Sequence, residues 1–320
     1  MSTRARKKTY RQLGTILLVL FMTTLLAVAM LFVYIFFQFK NTADSMQDPK
    51  YSRTSSAMRP TDLNLNTGQP VSMVLFGLDS DEGRAMRQEG RRSDTIILAT
   101  LNPQNQKMTL LSVPRDTQAE IVGHGTTEKI NHAYAYGGPK MAIDTLEKYF
   151  NMPIDYYASV DMDDFVFIID NIGGINVVSP HTFTYDKYHY AAGETYRMNG
   201  KEALAFARSR KETGAMGDEG RQVRQQVILN AITKKLLSIE SVPYFNEVLK
   251  TISHSVTTNV AFQDVNKFRK YYAPALGSIE KLSLNGTNEI GDDGLWYFIP
   301  SDEAKDDIET RMKNNLGISS

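Results

Sequence analysis

Two aspartates sit where chemistry commonly happens. Asp79 ends an apolar run over residues 71–78, and Asp94 directly precedes another over 95–101. Ligands bind at strand ends in open α/β sheets. If the two runs are neighbouring strands, both carboxylates reach one sheet end and suit a hard cation such as Mg²⁺ or Mn²⁺. Aspartate is equally at home in turns and caps, and that reading needs no metal.

Arginines follow the same pattern. Arg115 stands at the tip of Ser112-Val113-Pro114-Arg115-Asp116-Thr117, just past a run over 107–113. Alone it is an exposed turn. In Arg208-Ser209-Arg210, an extended backbone puts both arginines on one face. Two adjacent guanidiniums repel unless an anion lies between them, and their forked donors match phosphate oxygens. Asp218 precedes a helix in which Arg221, Arg224 and Gln225 share a face at i, i+3 and i+4. Ile228, Ala231 and Ile232 continue that face inward. Charges there require partners, because an unpaired buried charge is costly. The partner is either an anion at the helix start or the cap acids Asp218 and Glu219. Arg92, Arg115, Arg208, Arg210, Arg221 and Arg224, with Asp79 and Asp94, make a pyrophosphate and Mg²⁺ site, and Lys129 is placed to join them. The sequence has no Walker A loop, no GxSxG and no kinase-type DFG, which sets aside the common nucleotide and serine-hydrolase plans.

Composition narrows the classes further. The 320 residues have a formal net charge of zero, but residues 1–11 carry five basic groups and no acid. The rest of the chain is therefore acidic by five charges, which argues against general nucleic-acid binding. With no cysteine, disulfides, thiolate metal sites and a cysteine nucleophile are excluded. The five histidines show no HxH or HExxH spacing.

The elements that must position these residues begin with an anchor. Residues 12–39 carry no charge. The apolar stretch 13–37 spans about 37 Å as a helix, enough for a hydrocarbon core of ~30 Å. Ala27-Val28-Ala29 resembles a leader cleavage site, but apolar chain continues through Phe37, so the segment reads as an anchor. The basic residues before it place the N-terminus in the cytoplasm and the rest outside. The expected organisation is a cytoplasmic tail at 1–11, a transmembrane anchor at 12–39, a polar linker at 40–70 and one domain at 71–320. Strands are expected near 71–78, 95–101, 107–113, 156–160, 175–178, 279–284 and 295–299. Helices are expected near 139–150, 163–171, 199–207, 219–238, 262–272 and 301–315. This mixture is an α/β domain whose strand order is not legible.

Taken in order, the motifs resemble the LytR-CpsA-Psr family of bacterial cell-envelope proteins. They are Phe76-Gly77-Leu78-Asp79, Arg92-Ser93-Asp94-Thr95, Ser112-Val113-Pro114-Arg115-Asp116, Lys129-Ile130-Asn131-His132-Ala133-Tyr134, Asp170 with Gly173-Gly174-Ile175, Ala205-Phe206-Ala207-Arg208-Ser209-Arg210, and Gly217-Asp218 with Arg221, Arg224 and Gln225. The resemblance is close over residues 70–240 and looser beyond. It implies a central mixed β-sheet flanked by helices on both faces, with an apolar groove for a polyprenyl tail. Phe165, Val166, Phe167, Ile168 and Ile169 are expected to line that groove or to be plain core. The implied activity is a phosphotransferase in the bacterial cell membrane. Such an enzyme moves a glycopolymer (wall teichoic acid, capsule or another wall polysaccharide) from an undecaprenyl-pyrophosphate carrier to peptidoglycan. The implied roles are Asp79 and Asp94 on Mg²⁺ or Mn²⁺, and Arg92, Arg115, Lys129, Arg208, Arg210, Arg221, Arg224 and Gln225 on the pyrophosphate. Asp79 or Asp218 takes the acceptor proton or orients an arginine. A polyprenyl-pyrophosphate hydrolase and a non-catalytic regulator or lipid binder are the alternatives. A cytoplasmic tail of about a dozen residues is too short for a DNA-binding domain.

Overall fold

The computed structural model describes residues 56–59, 61–79, 90–239 and 242–318. The basic tail, the expected anchor and the linker up to residue 55 lie outside the described residues. Among the described residues no helix is long and apolar enough to cross a membrane.

Along the chain, β1 (Val71–Asp79), β2 (Arg92–Asn102) and β3 (Lys107–Val113) come first, then a ribbon of β4 (Gln118–Glu120) and β5 (Thr127–Lys129). Helix α1 (His132–Phe150), β6 (Tyr156–Asp161) and α2 (Met162–Asn171) follow. Next are β7 (Ile175–Val178), the hairpin β8 (Phe183–Tyr185) and β9 (Tyr188–Tyr190), and β10 (Thr195–Met198). Then come α3 (Gly200–Arg208), α4 (Gly217–Leu237), α5 (Val242–Ile252), β11 (Thr257–Thr258) and α6 (Phe262–Lys267). The chain closes with β12 (Ser278–Ser283), the hairpin β13 (Gly286–Ile290) and β14 (Trp296–Pro300), and α7 (Asp302–Leu316).

Six strands form one mixed sheet in the order β11-β6-β1-β2-β3-β12. β1, β2 and β3 pair antiparallel, whereas β6 runs parallel to β1 and β12 parallel to β3. Successive side chains point to opposite faces of a strand. On one face Val74, Phe76, Leu78, Ile96, Leu98 and Leu111 are buried with Ile143, Leu146 and Phe150 of α1 and Ile308, Met312 and Leu316 of α7. On the other, Leu75, Gly77, Thr95 and Ile97 look toward α2, α3 and α4. Those helices share a second core with β7–β10, built on Ile169, Phe183, Phe206 and Ile228. The fold is therefore the expected mixed sheet between helical layers.

Several elements depart from expectation. Helical backbone begins at His132, but Gly137 and Gly138 break it (Gly138 φ 62°, ψ −156°), so the continuous helix starts at Pro139. The segment 262–272 is α6 followed by a π-turn at Phe268–Tyr272. Helix α5, the ribbon β4–β5, the β8–β9 hairpin and strands β10 and β13 have no counterpart among the expected elements. The strands among them are short or half-exposed and lack a strong period, whereas α5 is amphipathic and its apolar face was passed over.

The expected linker over 40–70 also needs correction. From Ser56 the chain is bound to the domain, because a buried carboxylate recruits it. Asp155 is 1% exposed. It accepts hydrogen bonds from Arg59 Nε and Nη2 at 2.7 and 2.6 Å and from Ser72 N and Oγ at 2.9 Å each. Removing one partner of a buried ion pair leaves an uncompensated charge. Arg59→Ala is therefore expected to destabilise the domain by about 3–5 kcal/mol in urea unfolding followed by circular dichroism. A loss within experimental error would show that residues 56–59 are a loose tether after all.

Candidate active site

The site is built on an irregularity at one end of the sheet. β1 and β2 keep register from Val71↔Leu101 to Gly77↔Thr95, then shift so that Leu78 faces Ser93 and Asp79 faces Arg92. Asp94 is the extra residue of this bulge. Bulges re-aim side chains and cluster beside functional sites. The expected adjacency of the two runs holds, and the backbone of Asp79 lies at the same sheet end as Asp94.

Asp94 is fixed by two neighbours. Arg115 donates Nη1 to its Oδ2 at 2.7 Å, and Asn131 donates Nδ2 to its Oδ1 at 3.3 Å. Arg115 Nε also lies 3.6 Å from Asp116 Oδ2, and Lys129 Nζ reaches Asp116 Oδ1 at 2.8 Å. The local chain explains this grouping. Pro114 ends β3, and Thr117 closes the turn with N and Oγ1 both donating to Pro114 O at 3.0 and 2.7 Å. The β4–β5 ribbon then returns the chain, and Ile130 N and Asn131 N donate to Thr117 O and Arg115 O at 2.8 and 3.3 Å. Arg115, Lys129 and Asn131 are thereby held along a line of alternating charge. Nearby, Nε of Arg92 is buried with no hydrogen-bond partner among the described residues. A buried guanidinium N–H without an acceptor is a place for an anion.

Helix α4 supplies the other side. Gln225 donates Nε2 to Thr95 Oγ1 at 3.0 Å, one residue from Asp94. Arg221, one turn earlier, lines a polar cleft together with Arg115. The Ser209 backbone is extended (φ −55°, ψ 133°) and its side chain is buried, so Arg208 and Arg210 flank it on the side away from the core. Side chains at positions 79 and 218 are outside the described set.

Arg224 is a correction. Expected among the anion-binding arginines, it has no exposed surface. Its Nε donates to Phe206 O at 3.1 Å, Nη1 to Ala215 O at 2.8 Å and Nη2 to Ser209 O, and the guanidinium lies over the Phe183 ring at 4.7 Å. Burial lowers its pKa to about 10, which still leaves it charged at neutral pH. The partners are backbone carbonyls, a possibility absent from both readings of this helix face. Its role is to tie residues 206, 209 and 215 to the first turns of α4, which fixes the path of the segment carrying Arg208 and Arg210.

Beside this centre lies an apolar cavity of about 230 Å³ between the sheet and α2, α3 and α4. Leu75, Ile97, Val160, Ile228, Leu229 and Ile232 line it, with Thr95 and Gln225 at the end nearest Asp94. Of the apolar run on α2, Phe165 and Ile168 face the cavity, Ile169 is core and Phe167 is exposed. Gly200 lets α3 approach α2, since a Cβ there would sit 2.3 Å from Val166 O. Asp161 is at the rim. Burial raises its carboxyl pKa against the pull of Arg91, which it meets at 2.7 Å.

The residues fit a divalent cation of a particular kind. Magnesium favours one or two carboxylates plus substrate oxygens and water. Asp94 offers one such carboxylate at the sheet end where the β1 backbone also stops. Among the described residues no group of three or more His, Asp or Glu could hold a metal.

The sequence reading left several participants without a role. Asp116 sits next to Arg115 in the same turn, and Asn131 lies in the motif that supplied Lys129, so neighbourhood was the available signal. Glu128 was the hardest to find. It accepts from His132 Nδ1 at 2.8 Å and Tyr136 OH at 2.7 Å. Burial would raise its carboxyl pKa, but hydrogen bonds from His132, Tyr136 and Thr126 outweigh that and hold it at about 2.

Comparison with known proteins gives a consistent picture. The LytR_cpsA_psr family model matches residues 33–314. A polyisoprenyl-teichoic acid–peptidoglycan teichoic acid transferase TagU of Bacillus cereus is 37% identical over 278 residues, 87% of this chain and 89% of that protein. The crystal structure of TagV from B. subtilis superposes with a TM-score of 0.68 at 32% identity, covering 79% of this chain and 99% of that one. A structure of TagT bound to LIIa-WTA superposes with a TM-score of 0.69 at 26% identity, covering 84% and 100%.

Two outcomes test this geometry. Arg224→Ala removes three hydrogen bonds to backbone carbonyls, of which Phe206 O keeps a bond from Ser209 Oγ at 3.0 Å, and a buried carbonyl left unsatisfied costs about 1–3 kcal/mol. The variant is expected to lose several-fold that of a surface arginine change in urea unfolding, and Arg224→Lys is expected not to restore it, because one ammonium cannot reach all three oxygens. Full stability in Arg224→Ala would remove the clasp. Glu128 has a folded pKa of about 2 against an ordinary 4.5, so its contribution is present above about pH 4.5 and is lost as pH falls toward 2. Glu128→Gln is expected to flatten the acid limb of the stability–pH curve between those values, and an unchanged limb would refute the assignment.

Proposed function

The chain belongs to the LytR-CpsA-Psr family, and on that premise we propose that it transfers a glycopolymer from an undecaprenyl-pyrophosphate carrier to peptidoglycan. The polymer is a wall teichoic acid, a capsule or another wall polysaccharide, the new bond is a phosphodiester, and lipid phosphate is released. The observation that carries this reading is the placement of an apolar cavity directly beside the Asp94–Arg115 centre, with Thr95 and Gln225 between them. A lipid tail and a pyrophosphate need that pair of environments side by side. The TagU relative and the TagT complex with LIIa-WTA support the substrate class.

Phosphoryl transfer depends on positioning and charge neutralisation more than on covalent help from the protein. In the proposed reaction an acceptor sugar hydroxyl attacks the glycan-side phosphorus, and the bond to the bridging oxygen breaks. Arg115, Arg92 and Arg221 hold the pyrophosphate oxygens, with Lys129, Arg208, Arg210 and Gln225 beside them. Fixed donors aimed at developing charge stabilise the leaving lipid phosphate. The hydroxyl proton passes to a carboxylate, with Asp79 and Asp218 as the two candidates. Asp79 and Asp94 would hold Mg²⁺ or Mn²⁺, which supplies further neutralisation of the pyrophosphate. The segment 12–39 anchors the protein in the bacterial cell membrane, with the basic tail in the cytoplasm and the domain outside.

A transfer assay tests this. The full chain in detergent micelles is incubated with a short lipid-pyrophosphate glycan and a peptidoglycan oligomer, with Mg²⁺ or with chelator. Metal-dependent formation of the glycan–peptidoglycan phosphodiester is expected, with Arg115→Ala and Asp94→Ala each lowering kcat/KM by about 10²-fold or more while circular dichroism is unchanged. Lipid phosphate released without a linked product would instead identify a hydrolase. Normal transfer by folded Arg115→Ala would overturn the site.

A further inference from the structure

A second cavity flanks the same centre. It is polar, about 330 Å³, and is walled by Arg115 and Asp116, by Glu219, Arg221 and Gln222 of α4, and by Asn285, Asn288 and Phe298. Helix α4 borders both cavities. Gln225, Ile228 and Leu229 line the apolar one, and Arg221, Gln222 and Gln226 line the polar one. We propose that this cleft, continued by the exposed face of the β13–β14 hairpin, binds the acceptor glycan strand, with Trp296 as its outer stacking platform. The proposal rests on the transferase reading above and assigns the second substrate its place.

Four observations support it. First, in-line phosphoryl transfer puts the attacking and leaving oxygens on opposite sides of the phosphorus. A lipid in the apolar cavity leaves the polar cleft across α4 as the side for attack. Second, the charges of the cleft balance. Asp116 and Glu219 offset Arg115 and Arg221, while Gln222, Asn285 and Asn288 offer amides that both donate and accept. That lining suits sugar hydroxyls and N-acetyl groups and is a poor path for a polyanionic polymer. Third, the hairpin provides an aromatic strip. Asn288 faces Phe298 and Ile290 faces Trp296 in register, so all four share one face of the ribbon. Phe298 and Trp296 are two residues apart, roughly 7 Å along the strand. Trp296 is 60% exposed, beside exposed Ile290 and Leu295. An exposed apolar patch continuous with a site marks a binding surface, and the C–H face of a pyranose packs on an aromatic ring. Fourth, the hairpin is fastened to the arginine turn. Phe298 N donates to Asp116 O at 2.9 Å, and Thr117 bridges Phe298. A glycan seated on the hairpin is therefore in register with Arg115.

Trp296 is the only tryptophan of the chain, so its fluorescence reports the strip directly. The full chain in detergent micelles is titrated with a tetrasaccharide of N-acetylglucosamine and N-acetylmuramic acid, and acceptor kinetics are measured in parallel. A saturable emission change is expected. Trp296→Ala and Asn288→Ala are each expected to raise the acceptor KM about tenfold with kcat changed far less. An emission response to a water-soluble phosphorylated donor glycan, but not to the tetrasaccharide, would give the cleft to the donor polymer and overturn the proposal. A response only to lipid vesicles would make the hairpin tip a membrane contact and overturn it equally. Wild-type transfer with unchanged acceptor KM in both variants would remove the strip and leave the transferase reading standing. Tetrasaccharide binding by a wild type that transfers nothing would do the reverse.

Discussion

A guanidinium with no exposed surface has to be satisfied where it sits, and Arg224 imposes that condition on the whole helical side of the site. Its donors are used on carbonyls from three points of one segment, Phe206, Ser209 and Ala215. The end of α3, the turn at Ser209 and the entry to α4 are consequently one unit. Without that tie, Arg208 and Arg210 would belong to an ordinary loop, and two adjacent arginines in a loop repel. With it, the backbone that carries them is fixed against the start of a long helix, where free backbone N–H groups and the helix dipole also favour an anion. One buried positive charge thus organises several partly exposed ones. The preference of guanidinium for planar, multidentate hydrogen bonding makes arginine the residue that can do this.

The central sheet supplies the complementary constraint. Its strands alternate large apolar residues on both faces, so both faces need cover. The face of Val74, Phe76 and Leu78 is filled by α1 and α7. The opposite face is filled only in part, and an apolar cavity of about 230 Å³ remains under α2, α3 and α4. Protein interiors are normally close-packed, and an apolar pocket left unfilled here forgoes packing contacts. This space is where the proposed lipid tail would sit. The bulge at Asp94 lies at the same place, since it shifts the pairing register at the point where the apolar cavity gives way to charge.

Much of this was legible in the sequence, for identifiable reasons. The runs over β1, β2 and β3 are long and apolar, and Asp79 and Asp94 flank them, so adjacency alone predicted a shared sheet end. The inward stripe of α4 was legible from its period, and so was the oddity of arginines opening it. What that stripe could not reveal was which arginine turns in. Arg221 and Arg224 differ by one position on a helix face, and only the path of residues 206–215 decides between them. The polar cleft was illegible for a related reason. Its walls come from Arg115, Gln222 and Asn288, which are far apart in sequence and of types common on any surface. The β13–β14 hairpin was half seen, because β14 is apolar while β13 reads Gly-Thr-Asn-Glu-Ile with no strand-like period.

The paired state of the central charges has a mechanistic meaning. Arg115 is bound to Asp94 and lies near Asp116, and Lys129 is bound to Asp116. These pairs are only partly buried, so they contribute little to stability individually. Their effect is on geometry. Each cation is held at a fixed place by an acid, so the pyrophosphate of the proposed substrate would meet donors that need little rearrangement. Preorganised donors of this kind are worth more in transition-state stabilisation than donors that must be ordered by the substrate. The acids also set a limit. By pairing with Arg115 and Lys129, Asp94 and Asp116 offset charge at the centre, so in the proposed reaction binding would draw on the apolar cavity as well. For the proposed lipid-linked pyrophosphate, selectivity would rest on two weak demands made together, charge at Arg115 and apolar length beneath α4.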